Sequence, residues 1–267
     1  MKARVFWLAL LVACQLSGGV LTWQAAHVVA QTPAATATDA ETATDAEAEA
    51  AAETKTRAET APIPPPLTRY LGRTIAQTMS YHGAPWLTRD NRDQEEHTTE
   101  VLQQLGLQPG QVVCDLGCGN GYYTLQMAPQ VAPQGKVLAV DIQPEMLHLL
   151  QLRSQELGLD NVEPILGNVV DPQLPADSVD LVLLVDVYHE FSHPPQMLQA
   201  LRRSLAPGGL IALLEYRQED PSVPIKPLHK MSKRQILKEF QANGLRLAKQ
   251  YDGLPWQHLM FFERDTP

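Results

Sequence analysis

Residues 112–121, Val-Val-Cys-Asp-Leu-Gly-Cys-Gly-Asn-Gly, run a short apolar strand straight into three glycines at alternate positions, Gly117, Gly119 and Gly121. Glycine lets the backbone turn sharply and lets another group approach with no Cβ in the way. A buried strand that ends in such a loop and then feeds a helix is the opening unit of an open parallel sheet. Sheets of that kind bind ligands just outside the carboxyl ends of their strands.

The rest of the chain agrees with that start. Asp93 and Glu96 have capping-box spacing and predict a helix to Leu105. Pro109-Gly110 makes a turn before the strand Val112–Leu116, and a helix follows the glycines over about 121–129. Lys136–Asp141 reads as a strand, and Pro144 suits the first turn of a helix toward Leu157. Val162–Leu166 is a third strand; Pro164 cannot donate to a ladder, so this strand belongs at a sheet edge. Val179–Val187 is almost continuously apolar and belongs at the centre, covered on both faces. Pro194-Pro195 opens a helix to about Leu205, Ala206–Gly209 turns, and Leu210–Tyr216 is a strand. Ser232 and Gln235 cap a helix that Gly244 ends, and Leu245–Tyr251 and His258–Glu263 close the chain as strands. The fold class is α/β: a Rossmann-like, doubly wound sheet of seven strands with helices on both faces.

That pattern occupies 93–267 only. In residues 1–30, Lys2 and Arg4 precede ten unbroken apolar residues, Val5–Cys14, a run shorter than the ~20 a spanning helix needs. With small residues at Val28-Val29-Ala30, the segment reads as an export signal or an N-terminal anchor, and Leu11–Cys14 also resembles a lipoprotein box. Residues 31–66 are rich in Ala, Thr, Glu and Pro, with seven acids against two bases and no large apolar side chain before Ile63. Such a stretch buries too little to order itself and reads as a disordered tether. Residues 67–92, with Tyr81, His82, Trp86 and Arg89, read as a lid or as ordinary packing against the sheet. The net charge of −9 gives no basic footprint for nucleic acid. Three cysteines, one in the leader and two four residues apart, give no disulfide framework.

What the loop holds follows from charge. A dinucleotide loop has a third glycine where this chain has Tyr122, and Asp115 stands two residues before Gly117. A carboxylate there repels a pyrophosphate and attracts an ammonium or a sulfonium. Asp141, at the end of the second strand, suits ribose hydroxyls. A ligand with a ribose, a cationic amino-acid tail and no phosphate is S-adenosylmethionine.

On these residues the chain resembles the class I S-adenosylmethionine-dependent methyltransferases over about 93–217. The first motif of that family is matched by Val113–Gly121, the second by Val137–Ile142, the third by Gly167-Asn168-Val169, where the family more often has Asp in the middle, and the fourth by Asp180–Asp186. Leu205–Gly209 matches the usual lead-in to the fifth strand. The resemblance implies strand order 3-2-1-4-5-7-6 with the seventh antiparallel. It implies cofactor contacts from Asp115, Gly117, Cys118, Gly119, Asn120, Gly121, Asp141, Ile142, Asn168, Val169 and Asp186. Cys114 is core filling, and Cys118 lines the cofactor with its backbone. Side chains just past the fourth strand face the methyl group, which makes His189 a base or acceptor-orienting group and Tyr188 a wall or hydrogen-bond donor. Glu215-Tyr216-Arg217 and His229-Lys230 are placed to edge the acceptor pocket.

His189-Glu190-Phe-Ser-His193 also spells the zinc-protease signature, which needs both histidines one turn apart on a continuous helix. Pro194 and Pro195 work against that helix, and no third ligand follows at helical spacing, so no metal is expected. The sequence therefore reads as a methyltransferase acting on a small-molecule acceptor, with the ubiquinone- and menaquinone-type C-methyltransferases the nearest resemblance. A silent cofactor-binding module, a zinc hydrolase and a nicotinamide oxidoreductase are the alternatives. The export signal implies an exported or membrane-tethered domain in a bacterium-like cell, in conflict with a cofactor made in the cytosol. The acceptor and the oligomeric state are not readable from the sequence.

Overall fold

The computed structural model describes residues 62–265. The export signal read for residues 1–30, and all but the end of the tether read for 31–66, lie outside the described residues. The strands of the main sheet are β1 (Val112–Leu116), β2 (Lys136–Asp141), β3 (Val162–Leu166), β4 (Val179–Val185), β5 (Leu205–Tyr216), β6 (Leu245–Tyr251) and β7 (Gln257–Arg264). They lie in the order β3-β2-β1-β4-β5-β7-β6. β1 to β5 are mutually parallel, and β7 runs antiparallel to both of its neighbours. This is the order that the sequence implied, and Pro164 falls on the edge strand, opposite Ala139.

The longer helices are α1 (Thr98–Leu105), α2 (Thr124–Val131), α3 (Pro144–Glu156), α4 (Pro194–Ser204) and α5 (Lys233–Gln241). Side chains alternate across a strand, so each strand feeds two cores. Cys114, Val182, Leu184, Leu213 and Phe262 pack with Leu198 and Leu201 of α4 and Phe240 of α5. Val113, Val137, Leu183, Ala212 and Phe261 pack on the other face with Val101 of α1 and Met127 of α2. α3 joins that face through Leu147 and Leu150, against Ala139. β4 is buried along most of its length, as a central strand must be. Among the described residues, no helix is long and apolar enough to cross a membrane.

Three elements depart from the sequence reading. The single helix expected over 93–105 is two: Arg92–Glu96, then α1, separated by His97 at φ 53°. Asp93 and Glu96 do not form a capping box. Asp93 Oδ1 accepts from Thr98 Oγ1 and Thr99 N and so caps α1, while the Glu96 carboxylate turns inward to Arg92, Arg89 and Tyr216. β4 ends at Val185, because Asp186 takes a left-handed φ of 49° and starts the turn Tyr188–Glu190. The turn expected at Ala206–Gly209 lies inside β5 as a bulge: Val179 pairs with Leu205 and Leu181 with Leu210. Contacts with the domain reach back before residue 67, since His193 Nε2 hydrogen-bonds the Pro64 carbonyl oxygen at 2.7 Å.

Candidate functional site

A cavity of about 560 Å³ opens beyond the carboxyl ends of β1, β2 and β4. Its size and position are those of a small-ligand site in an open α/β sheet. The glycine loop forms its floor. Gly117 and Gly119 have φ of 74° and 54°, and a Cβ on them would lie 2.6 Å from Val187 Cγ2 and 2.5 Å from Leu87 Cδ1. A side chain at Gly117 would collide with the branched Val187, and one at Gly119 would need a left-handed φ and would push aside the tip of Leu87. The Gly119 amide donates to Asp141 Oδ2 at 3.0 Å, and the Gln143 amide donates to Oδ1 at 2.9 Å, which fixes the carboxylate at the end of β2. Burial raises the Asp141 pKa above the ordinary carboxylate value.

Of the residues that the sequence assigned to the cofactor, Gly117, Gly119, Asp141, Ile142, Asn168, Val169 and Asp186 line this cavity. Asn168 Oδ1 accepts from the Val170 and Asp171 amides, so its NH2 is what it can offer a ligand. Asp115, Cys118, Asn120 and Gly121 do not line the cavity. Asp115 is buried behind the loop, where Thr124 Oγ1 donates to it at 2.6 Å and burial pushes its pKa up to about 6. The Cys118 side chain packs toward Leu125, Leu147 and Leu150. Asn120 ties the loop to the overlying segment by donating to the Ala84 carbonyl at 3.0 Å. Gly121 lies against Leu150 of α3.

Asp186 has one carboxylate oxygen satisfied and the other not. Its Oδ2 accepts from Gln257 Nε2 at 2.9 Å, whereas Oδ1 is buried with no partner. Burial drives its pKa well above the usual range, and the nearby Glu96 and Glu215 add to the shift. A buried acceptor without a donor is costly unless a ligand supplies one.

Beyond β4 the turn Tyr188–Glu190 carries two residues into the cavity wall, His189 and Glu190, joined there by Tyr216 and His229. His189 Nδ1 lies 2.7 Å from Glu215 Oε2, and its backbone N–H donates to Glu215 Oε1 at 3.1 Å. Burial alone would lower the His189 pKa, but the Glu215 carboxylate raises it above the ordinary value. Its Nε2 lies 3.0 Å from His229 Nδ1. Burial pushes the Glu190 carboxyl up to about 7. Tyr188 is elsewhere: its ring is fully buried against Phe240 and its hydroxyl donates to Glu239 at 2.7 Å, so it does not reach the cavity. Arg217 and Lys230 do not line it either.

The segment before the sheet forms the roof. Thr78, Met79, Trp86 and Leu87 line the cavity. The Met79 amide donates to both oxygens of Glu190 at 3.2 Å, and Arg73 donates to the His189 carbonyl at 2.9 Å. Arg92 also lines the cavity, and sequence reasoning missed it. Its only signal was a basic residue beside an acid-rich stretch, which ordinarily marks a solvated face.

The match to known proteins agrees with this geometry. Residues 107–258 match a family described as a methyltransferase domain. A demethylmenaquinone methyltransferase of Listeria welshimeri is 29% identical over 158 residues, covering 59% of this chain and 65% of that protein. One from Symbiobacterium thermophilum is 34% identical over 122 residues, covering 45% of this chain and 49% of that protein. The chain thus spans less than two thirds of these relatives. A SAM-dependent methyltransferase from Aquifex aeolicus superposes with a TM-score of 0.65 at 25% identity, covering 69% of this chain and 98% of that one.

Proposed function

The chain belongs to the methyltransferase-domain family, and from that premise we propose that it moves a methyl group from S-adenosylmethionine to a small-molecule acceptor by in-line displacement. The observation that carries the reading is the single cavity that joins the glycine loop, Asp141 and the unpartnered Asp186 oxygen to His189.

The residues present fit this cofactor. The loop offers backbone without Cβ atoms, Asp141 is fixed where ribose hydroxyls would need an acceptor, and Asp186 Oδ1 lacks the donor that an ammonium group brings. Ile142 and the Asn168 amide group stand where an adenine ring would be held, with Val169 beside them. Asp115 contributes negative potential from behind the loop and holds it through Thr124. The bound cofactor supplies a methyl carbon already activated by a sulfonium, so the protein's task is alignment and exclusion of water. Thr78, Met79, Trp86 and Leu87 supply the cover. His189, oriented by Glu215, is the group that takes or holds the acceptor's proton. Met79, Leu87, Phe191 and Ile225 give the acceptor side an apolar wall. That wall, with the activity named for the Listeria and Symbiobacterium relatives, favours a ring-bearing, quinol-like acceptor.

Two results are expected. Gly119→Val weakens S-adenosylhomocysteine binding by roughly a hundredfold or more in calorimetric titration, since the new side chain requires both a left-handed φ and the space of Leu87. His189→Ala lowers transfer of a labelled methyl group to hydroquinone-type acceptors by on the order of a hundredfold, with S-adenosylhomocysteine affinity unchanged. Unchanged turnover in His189→Ala removes that residue from the proton-handling role. Binding of S-adenosylhomocysteine with no transfer to any acceptor points instead to a silent binding module.

A further inference from the structure

We propose that His189, Glu190 and His229 form a binding site for a first-row divalent cation, zinc by the chemistry of its donors, on the acceptor side of the cavity. Their ligand atoms lie within 4.8 Å of one another. His189 Nε2 is 3.0 Å from His229 Nδ1, and Glu190 Oε1 is 3.9 Å from the first and 3.8 Å from the second. A point equidistant from the three atoms lies about 2.1 Å from each, within the roughly 2.0–2.2 Å of Zn–N and Zn–O bonds. Two imidazoles and one carboxylate suit zinc or iron(II) rather than magnesium or calcium, which prefer oxygen alone.

The surroundings are those of a built site. Glu215 sits on the other ring nitrogen of His189, the outer carboxylate that fixes the tautomer of a metal-bound histidine. The Met79 amide holds Glu190 from behind. His229 belongs to the short turn Pro227–His229, with its side chain 31% exposed, which gives a cation a way in. Binding needs lone pairs on both facing ring nitrogens and an ionised Glu190, so a cation would displace the proton between the two imidazoles. All three residues line the cavity, so the remaining coordination position opens toward the acceptor. A cation there would occupy the His189 lone pair and take over from it the orienting and activating of an acceptor hydroxyl or enol oxygen. That role rests on the methyltransferase reading; the site itself does not.

The site differs from the one that the His189–His193 signature spells. His193 Nδ1 lies 2.9 Å from Ser192 Oγ, and its Nε2 meets the Pro64 carbonyl oxygen, so both nitrogens are committed outside the cavity. The sequence reading rejected zinc because Pro194 and Pro195 break the helix that the signature needs and because no third ligand follows at helical spacing. His229 supplies it from another turn, forty residues away from His189.

The test is calorimetric titration of the chelator-treated full chain with zinc alone, with elemental analysis of metal retained after dialysis. One equivalent should bind at micromolar affinity or tighter. His229→Ala and Glu190→Gln should each weaken it at least a hundredfold, Glu215→Gln by roughly tenfold, and His193→Ala not at all, with thermal melts showing every variant folded. Absence of saturable binding, binding unchanged in His229→Ala, or binding lost in His193→Ala overturns the assignment. S-adenosylhomocysteine titrated in parallel separates the two readings. Zinc bound without it leaves the metal site standing and removes the methyltransferase reading, whereas its binding without zinc removes the metal site alone.

Discussion

Replacing Glu96 by Ala should destabilise the domain by ~3–5 kcal/mol, the usual cost of stranding a buried charge. Glu96 is fully buried, and its carboxylate accepts from Arg89, from Arg92 Nε at 2.9 Å and from the Tyr216 hydroxyl at 2.8 Å. Burial works against the charge, but Arg92 and Arg89 hold the Glu96 pKa below the ordinary value. Arg92 is itself only 5% exposed, so loss of the carboxylate leaves a guanidinium in the core whose remaining acidic neighbours, Asp186 and Asp115, are themselves buried with raised pKa values. The damage reaches the site, because Arg92 and Asp186 both line the cavity. The measurement is the urea midpoint of wild type, Glu96→Ala and Glu96→Gln. The Gln variant should lose less, because its amide oxygen still accepts hydrogen bonds. Equal midpoints for all three would mean that the cluster does not hold the short helix to the sheet.

Asp115→Asn should act in the opposite direction and stabilise the ligand-free domain at neutral pH. Burial lifts this carboxyl from 3.8 to about 6. At about 1.4 kcal/mol for each tenfold change in proton affinity, that is at most about 3 kcal/mol. The folded protein holds the proton more tightly than the unfolded chain does. The contribution of Asp115 to stability therefore falls as pH rises from about 4 to about 6 and is level above that. Asn keeps the acceptor for Thr124 Oγ1 and has no charge to bury. The variant should thus be more stable than wild type above pH 6 and gain nothing below pH 4. Midpoints that differ equally at pH 4 and pH 7.5 would assign the effect to packing instead of charge.

The fold was legible because its signals are local. Pro164 placed the edge strand, the apolar run of Val179–Val187 placed the centre, and Gly117–Gly121 marked the turn from β1. The departures come from contacts between residues distant in the chain. The break at His97 depends on Glu96 reaching Tyr216, and the bulge at Ala206–Gly209 depends on pairing with β4. The site divides in the same way. Residues at strand ends, Asp141, Asn168 and Asp186, fall in the cavity because their motifs fix their register. Cys118 and Asn120 sit among the glycines yet face away, and alternation within a loop carries no periodicity to reveal that. His189 and His229 were both named from sequence, but their 3.0 Å approach required the fold.

Calorimetric titration of the full chain with S-adenosylhomocysteine, run beside NAD, tests the methyltransferase assignment most directly. One site of micromolar affinity for S-adenosylhomocysteine, lost in Gly119→Val, and no heat of binding for NAD are expected. Saturable NAD binding with none for S-adenosylhomocysteine would contradict that assignment.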